Sequence, residues 1–309
     1  MNLPEKIETR LTDRAGDLLD RFLLSLDIKQ NSKDTYRRGL RQFTIWIEEQ
    51  GIQGPTRETI LDFKHSLEAR GLSALTISGY LVAVRKFYEW AEGMKMSPNI
   101  ARGIKGAKRA RGFRKDPLTV DQVKELLSSI NRSTLQGLRD YALLNLLIRT
   151  GLRTVEVTRA NIEDIRQSSG EALLWIQGKG RDTKDEFVLL TEETLRPLRE
   201  YLGARGEVGA QDPLFISLSD RNNGGRLTTR SISRIAKDRL GNIGIKDGRL
   251  TAHSLRHTAI TLTLLAGGNI QEAQALARHS DINTTLVYAH NINRIVNAPE
   301  RRIDAILGN

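Results

Sequence analysis

Three side chains that bind anions lie within about one turn of the segment TAHSLRHTAITLTLLAGG, residues 251–268. His253 and Arg256 are three residues apart and share one face of a helix, and His257 lies beside them. The apolar residues of the segment fall on a separate face. The pattern predicts a helix that packs by one side and binds an anion by the other. A helix end with solvated polar groups is the alternative interpretation.

The composition favours a polyanionic partner. The 309 residues include 48 Lys and Arg against 37 Asp and Glu, which gives a net charge of +11. A surplus of this size is typical of proteins that bind nucleic acid, although charge alone does not exclude a soluble basic protein without such a partner. The lack of cysteine excludes disulfides, thiolate zinc sites and cysteine nucleophiles.

The sequence predicts a cytoplasmic protein that does not enter the membrane. Its first residues, MNLPEKIETRLTDR, are too charged for a signal peptide. The most apolar short run is ALLNLLI at residues 142–148. This run is far shorter than the ~20 residues that a membrane-spanning helix needs.

The pattern also indicates phosphate chemistry without a metal. Four of the five histidines lie at or after position 253, so a zinc site is the obvious rival. The chain shows no His-Glu-x-x-His pattern, no glycine-rich Lys-Ser/Thr phosphate loop and no clustered carboxylates. We therefore predict no metal and no cofactor. Phosphate chemistry then depends on side-chain cations, and arginine is preferred because its planar fork holds two oxygens at once.

The elements that must position these groups fall into two predicted domains. Helical spacing of apolar residues recurs through the first domain, residues 1–104. Candidate helix starts lie at Ser32 or Asp34, at Thr56 and at Ser73, after a first helix near residue 15. The pattern predicts a small bundle of four helices.

A basic segment, residues 105–116, follows this domain. It contains glycines and little apolar content, and its cations are Lys105, Lys108, Arg109, Arg111, Arg114 and Lys115. We interpret the segment as an extended linker that binds the DNA phosphate backbone. A solvated loop is the alternative interpretation.

The second predicted domain, residues 117–309, is mostly helical with a small antiparallel sheet. A helix ends at Gly151, and β-rich runs at 172–177 and 186–190 form a predicted hairpin around GKGRDTKD. We expect helices to resume at Thr191 and to continue to the end of the chain. The fold class is therefore mainly α.

The segment HSLRHTAITLTLLAGGNIQEAQALARHSDINTTLVYAH, residues 253–290, closely resembles the C-terminal motif of the tyrosine recombinases, the phage-integrase and Xer-like family. RTGLRTVEV resembles the family's first arginine box, and QGKGRDTKDEFVLL resembles the hairpin that carries its lysine. SKDTYRRGLRQFTIWI and LSALTISGYLVAVRKFYEWA resemble its four-helix, SAM-like core-binding domain. The resemblance covers nearly the whole chain.

The resemblance implies a set of catalytic residues drawn from these segments: Arg153, Lys179, His253, Arg256, His279 and Tyr288. Tyr288 is the implied nucleophile, the two arginines clamp the phosphate, and the two histidines move protons or donate hydrogen bonds. Lys179 protonates the leaving 5′ oxygen. Each residue also has a structural interpretation, and the match of the whole set in order favours the catalytic one.

Several neighbouring residues complete the expected site. Glu156 is expected to support it by orienting Arg153 or His253. Arg181 and Lys184 on the hairpin tip are alternatives to Lys179.

Two further expectations concern residues close to this set. Arg278 stands where the family usually has glycine, and we expect it to move His279 or to add a phosphate contact. We expect His257 and His290 to be structural, with hydrogen bonds to the backbone or to a neighbouring side chain.

The resemblance implies a site-specific DNA recombinase whose two domains clamp duplex DNA. It cleaves and rejoins DNA through a 3′-phosphotyrosyl intermediate and works as a homotetramer linked by its C-terminal tail, with accessory or directionality factors as further candidate partners. DNA integration, excision and dimer resolution are the processes implied. A type IB topoisomerase-like enzyme and a catalytically silent DNA-binding protein on the same fold are the alternatives.

Overall fold

The computed structural model describes residues 16–108, 117–178, 180–248, 250–296 and 299–308. The chain divides into two compact units, Met1–Gly112 and Phe113–Asn309. Lys179 and four of the linker cations, Arg109, Arg111, Arg114 and Lys115, lie outside the described residues.

The described part of the first unit is the predicted bundle of four helices: α1 (16–25), α2 (Gln30–Glu49), α3 (Arg57–Ala69) and α4 (Ala74–Gly93). The hydroxyls of Thr56 and Ser73 accept hydrogen bonds from the first turns of α3 and α4, as predicted for helix caps. The predicted start of α2 at Ser32 or Asp34 is wrong. The helix begins at Gln30, and Lys29 in the capping position makes no side-chain cap.

The core of this unit is aromatic and aliphatic, with Phe22, Phe63 and Leu81 fully buried. Gly39 allows α2 to approach α4 closely, because a Cβ at this position would lie 2.9 Å from the Cβ of Ala83. Substitution at Gly39 would therefore push the two helices apart.

The second unit is also mostly helical in its described part. Its helices are α5 (Val120–Ser128), α6 (Leu135–Thr150), α7 (Thr154–Arg159), α8 (Glu192–Arg205), α9 (Thr229–Asn242), α10 (Ala252–Leu265), α11 (Ile270–Ala277), α12 (Asn283–Val296) and α13 (Pro299–Leu307). Helix α6 is almost entirely buried and packs against α8 and α10. The helix with the anion-binding pattern, α10, also packs against α11 and α12. This packing brings sequence-distant segments to one place.

A three-stranded antiparallel sheet, in the order β1-β2-β3, lies beside these helices. Its strands are β1 (Ile165–Ser168), β2 (Glu171–Ile176) and β3 (Glu186–Leu189). The predicted hairpin corresponds to β2 and β3, whose register pairs Trp175 with Phe187. The polar strand β1 was not predicted.

The expectation of continuous helix after residue 191 is wrong between α8 and α9. This stretch forms isolated bridges, one pairing Asn161 with Pro213 and one pairing Ile216 with Arg226. The Arg226 guanidinium holds the stretch against α7, since it donates to the carbonyls of Thr158 and Ala160 at 2.9 Å each. Within the described residues, no helix is long and apolar enough to cross a membrane.

Candidate active site

Arg153 lies at the turn between α6 and α7. Gly151 caps the C-terminal end of α6 in a left-handed conformation (φ +60°), which ends the helix just before Arg153. Glu156 on α7 is fully buried and accepts hydrogen bonds from both the backbone N–H and the Nη1 of Arg153, at 2.7 Å each. The Arg153 guanidinium is therefore held in one orientation, while its side chain remains 26% exposed.

Arg256 on α10 is the most buried cation of the site, at 2% exposure. Its guanidinium donates hydrogen bonds to the carbonyls of Gly151 and Ala277. Burial, together with the charges of Arg153 and Arg278, lowers the pKa of Arg256 to about 9. The guanidinium of Arg256 is still cationic at neutral pH. Arg153 and Arg256 therefore place two fixed positive charges beside the C-terminal ends of α6 and α11.

Arg278 follows α11 in a left-handed conformation (φ +50°) that favours glycine. Its side chain is 8% exposed and turns inward. Nη2 donates to Glu156 at 2.9 Å, and Nη1 donates to the Leu276 carbonyl at 2.8 Å. The Arg278 carbonyl accepts from Arg153 Nη2 at 3.3 Å. Arg278 thus joins the support of Arg153 through both its backbone and its side chain.

The Glu156 carboxylate balances these charges. Burial alone would raise the pKa of Glu156, but the charge of Arg278 and the hydrogen bonds and charge of Arg153 lower it below its ordinary value. The carboxylate therefore stays ionised at neutral pH. Its single negative charge balances one of the two positive charges of Arg153 and Arg278, which both contact it.

His279 lies directly after Arg278. Its Nδ1 is 2.9 Å from Thr285 Oγ1, and its ring stacks on the Tyr288 ring at a centroid distance of 6.5 Å. Burial, followed by the charges of Arg256, Arg153 and Arg278, lowers the pKa of His279 to about 4. The imidazole is therefore neutral at physiological pH and suited to donate a hydrogen bond to an anion.

Tyr288 on α12 is 6% exposed and packs with Ile260, Ala273 and Ala277. Burial raises its pKa to about 12, with a smaller opposing effect from Arg256. Its hydroxyl is hydrogen-bonded to His257 Nδ1. The His257 ring in turn meets the His253 ring edge to face, with centroids 4.6 Å apart.

The structure brings most of the expected residues together. Direct contacts link Arg153 to Glu156, and others link Tyr288 to His279 and to His257. Arg256 belongs to the same cluster because its charge acts on both His279 and Tyr288. The sequence analysis did not predict that His257 contacts the expected nucleophile, because the family motif consists of the nearby His253 and Arg256.

The hairpin and the linker are only partly described. The two alternatives to Lys179 are both engaged in ion pairs. Lys184 Nζ lies 2.6 Å from Asp164 Oδ2, and Arg181 Nη2 lies 3.0 Å from Glu186 Oε1. In the linker, Lys105 and Lys108 are exposed at the end of the first unit's described part. Among the described residues, no group of three or more His, Asp or Glu side chains is placed to hold a metal ion.

Comparisons with known families agree with this arrangement. The model of the phage integrase family matches residues 117–294. The model of the phage integrase N-terminal SAM-like domain matches residues 19–94. The chain belongs to the phage integrase family of tyrosine recombinases.

Curated tyrosine recombinases match over most of their length. One from Synechococcus elongatus is 32% identical over 272 residues, which cover 84% of this chain and 84% of the relative. XerD of Listeria monocytogenes is 30% identical over 290 residues, covering 91% of this chain and 94% of the relative. The predicted family is therefore confirmed.

Solved structures of a site-specific recombinase and of an integrase share the fold. XerH in a post-cleavage complex with a palindromic difH substrate has a TM-score of 0.69 at 21% identity, covering 87% of this chain and 80% of that one. A lambda integrase dimer bound to a COC′ core site has a TM-score of 0.68 at 17% identity, covering 93% and 81%. The predicted mainly helical fold with a small antiparallel sheet is confirmed as well.

Proposed function

We propose that this tyrosine recombinase performs site-specific recombination of duplex DNA through a covalent 3′-phosphotyrosyl intermediate. The Tyr288 hydroxyl attacks a phosphodiester and frees a 5′ hydroxyl, and the 5′ hydroxyl of a partner strand then reverses the attack. One phosphoester is exchanged for another, so the reaction requires neither ATP nor a metal. The DNA-bound complexes of XerH and lambda integrase support duplex DNA as the substrate.

The observation that carries this proposal is the convergence of fixed cations, a neutral imidazole and a buried phenol. Arg153, His279 and Tyr288 come from three separate segments, yet a chain of contacts joins them. Arg256 adds a second guanidinium held by backbone carbonyls. Cations fixed before the reaction stabilise the charge that develops on phosphate oxygens without having to reorganise.

Each group has a role that suits its environment. Arg153 and Arg256 clamp the non-bridging oxygens, because a guanidinium holds two oxygens in one plane. His279 donates a hydrogen bond rather than a proton, since it is already neutral near pH 7. His253, one turn before Arg256 on α10, contacts the same phosphate.

Lys179 protonates the leaving 5′ oxygen in this proposal. The two alternative candidates on the hairpin are held in ion pairs. Lys184 pairs with the buried Asp164, and Arg181 pairs with Asp185 and Glu186. A lysine that supplies the proton needs freedom to reach the DNA, and a lysine held by a buried carboxylate lacks it.

The assembly is also part of the proposal. We place the core-binding domain at residues 1–104, the basic linker at 105–116 and the catalytic domain at 117–309. Two domains clamp the duplex, four subunits act on two DNA sites, and the C-terminal tail of each docks on a neighbour. Accessory or directionality factors are further partners, and the protein acts on DNA in the cytoplasm.

The decisive experiment traps the covalent complex. DNA that becomes covalently bound to the protein is sequenced to define the site, and that site is then used as a nicked suicide duplex. Wild-type protein should give a protein–DNA band on a denaturing gel, and Tyr288→Phe should bind the duplex equally well without giving the band. Tyr141→Phe, a tyrosine on α6 that stacks with Arg132, is the matched control.

A band that persists in Tyr288→Phe would overturn the nucleophile assignment. Strand exchange between two sites separates recombination from DNA relaxation by a topoisomerase-like enzyme. Binding without any covalent band in wild-type protein would show a silent DNA-binding protein.

A further inference from the structure

The Tyr288 hydroxyl needs a group that removes its proton before or during attack. A phenol is a weak nucleophile until it is deprotonated. Burial makes deprotonation harder here, because it raises the pKa of Tyr288 to about 12. Two histidine rings lie beside the Tyr288 ring, His257 at a centroid distance of 5.3 Å and His279 at 6.5 Å, and the structure distinguishes between them.

His257 is the histidine whose ring nitrogen meets the hydroxyl. Its Nδ1 is hydrogen-bonded to Tyr288 Oη, and the two rings are 5.3 Å apart with an interplanar angle of 32°. His257 lies on α10 next to Arg256, so the same helix presents a cation and an imidazole to the nucleophile.

Packing holds this contact in place. Helices α10, α11 and α12 pack against one another, and the Tyr288 ring lies among Ile260, Ala273 and Ala277. Because the ring is only 6% exposed, it has little room to turn its hydroxyl elsewhere. The His253 ring packs almost perpendicular to the His257 ring, with centroids 4.6 Å apart.

His279 is poorly suited to accept the proton. Its Nδ1 is already engaged with Thr285 Oγ1 at 2.9 Å. Burial and the surrounding arginines lower the pKa of His279 to about 4, so a proton taken from tyrosine would be held weakly. The His279 ring also lies farther from the Tyr288 ring than the His257 ring does, with centroids 6.5 Å apart against 5.3 Å.

We propose that His257 is the general base for the nucleophile. This inference rests on the proposed phosphotyrosyl mechanism. His257, in the neutral form with its proton on Nε2, accepts the Tyr288 proton on Nδ1 as the tyrosine oxygen bonds to phosphorus. The bond from phosphorus to the 5′ oxygen breaks, and that oxygen takes a proton from the acid on the hairpin.

Religation reverses the step. The incoming 5′ hydroxyl gives its proton to the hairpin group that acted as the acid and attacks phosphorus. The bond from phosphorus to Tyr288 breaks, and the His257 imidazolium returns its proton to the phenolate. Arg256 stabilises the phenolate during the exchange, since its charge already lowers the energy of the ionised tyrosine. His257 therefore starts and ends the cycle in the same protonation state.

The test compares two substitutions on the nicked suicide duplex at saturating protein. His257→Ala removes the base, and His257→Asn places an amide near the Nδ1 position that hydrogen-bonds the hydroxyl but takes up no proton. Both should form the covalent complex about 10² to 10⁴ times more slowly than wild type, the range that general-base catalysis contributes. His65→Ala, an exposed histidine of α3, should cleave at the wild-type rate.

A second substrate distinguishes a residue that acts as the base on the nucleophile from one that acts as the acid on the leaving group. Sulfur in place of the bridging 5′ oxygen leaves as a thiolate and needs no proton. The defect of His257→Ala should persist on this substrate, whereas the defect of Lys179→Ala should shrink. Thermal unfolding and duplex affinity of each variant show that the fold and the DNA-binding surface are intact.

The outcomes distinguish the inference from the proposed function. Wild-type cleavage by His257→Asn would show that a hydrogen bond suffices, and disappearance of the His257→Ala defect on the sulfur substrate would place His257 on the leaving group. Either result overturns the base assignment while the phosphotyrosyl mechanism stands. A covalent band from Tyr288→Phe would instead remove the mechanism itself, and the inference with it.

Discussion

At the scale of single residues, the shared carboxylate of Glu156 explains why an arginine is tolerated at position 278. The left-handed backbone there costs a non-glycine residue about 1 kcal/mol. The Arg278 guanidinium offsets this cost, since it bonds Glu156 at 2.9 Å on the oxygen opposite the one that Arg153 Nη1 contacts. The guanidinium faces inward onto Glu156, and the expected shift of His279 or phosphate contact stays a prediction.

This arrangement predicts the protonation behaviour of His279. Burial is the main cause of its low pKa, and the charge of Arg278 acts in the same direction. Arg278→Gly removes one nearby cation and admits water, so the pKa of His279 should rise above its present value of about 4. An NMR titration of the histidine ring protons, assigned with His279→Gln, measures the change.

Arg278→Lys is the matched control because it keeps the charge. The pKa of His279 in this variant should stay closer to the wild-type value than in Arg278→Gly. Equal pKa values in the two variants would show that the charge of Arg278 does not govern His279.

The sequence motifs select Arg153, Arg256 and Tyr288 as candidate catalytic residues, because their residue types and spacing occur together in this family. The partner of the Tyr288 hydroxyl was not predictable in this way. It depends on how α10 and α12 pack across 31 positions of the chain. The inward turn of Arg278 likewise depends on a buried carboxylate from another helix.

At the scale of elements, local signals predicted the helices that have caps and the hairpin that has alternating apolar residues. Strand β1 was missed since its sequence, IRQS, is polar and mostly exposed. It is a strand because its backbone pairs with β2, with Ile165 opposite Leu174. The stretch before α9 was missed for a similar reason, because its conformation depends on hydrogen bonds from its own Arg226 to the distant carbonyls of Thr158 and Ala160.

The basic linker is the element whose role remains a prediction. Its described beginning is anchored, because Ile104 is buried and its carbonyl accepts a hydrogen bond from Arg85 at 3.2 Å. Lys105 and Lys108 follow it on the surface. If these cations bind phosphates, each alanine substitution should reduce the log–log slope of affinity against salt by about one. Titrations of duplex binding across salt concentrations measure this slope.

Site preference should not change, since phosphate contacts carry no base information. The charge-preserving variants Lys105→Arg and Lys108→Arg should keep the wild-type slope. An alanine variant with an unchanged slope would show that the linker is solvated rather than bound to DNA.

At the scale of the whole molecule, the C-terminal helix α13 (Pro299–Leu307) exposes apolar side chains that a second subunit could bury. Its side chains at Ile303, Ile306 and Leu307 are 54%, 84% and 76% exposed. A helix this short is marginal in water unless its apolar face is covered. A groove on a second subunit would cover it, and repeated head-to-tail contacts of this kind close into a ring.

Removal of residues 297–309 should therefore leave binding to a single site nearly intact, because the arginine and histidine cluster lies before the deletion. Cooperative assembly on two-site DNA and strand exchange should be lost. Gel shifts and sedimentation on one-site and two-site duplexes measure the two effects separately.

Point substitutions separate the apolar contact from the mere presence of a tail. Ile306→Ser with Leu307→Ser should reproduce the deletion, because both side chains are almost fully exposed within one subunit and lose only a contact with another. Leu24→Ser, at 80% exposure in the first unit, is the matched control and should assemble normally. Normal assembly by the truncated protein would mean that the tail docks on its own subunit, and the ring must then be closed by other surfaces.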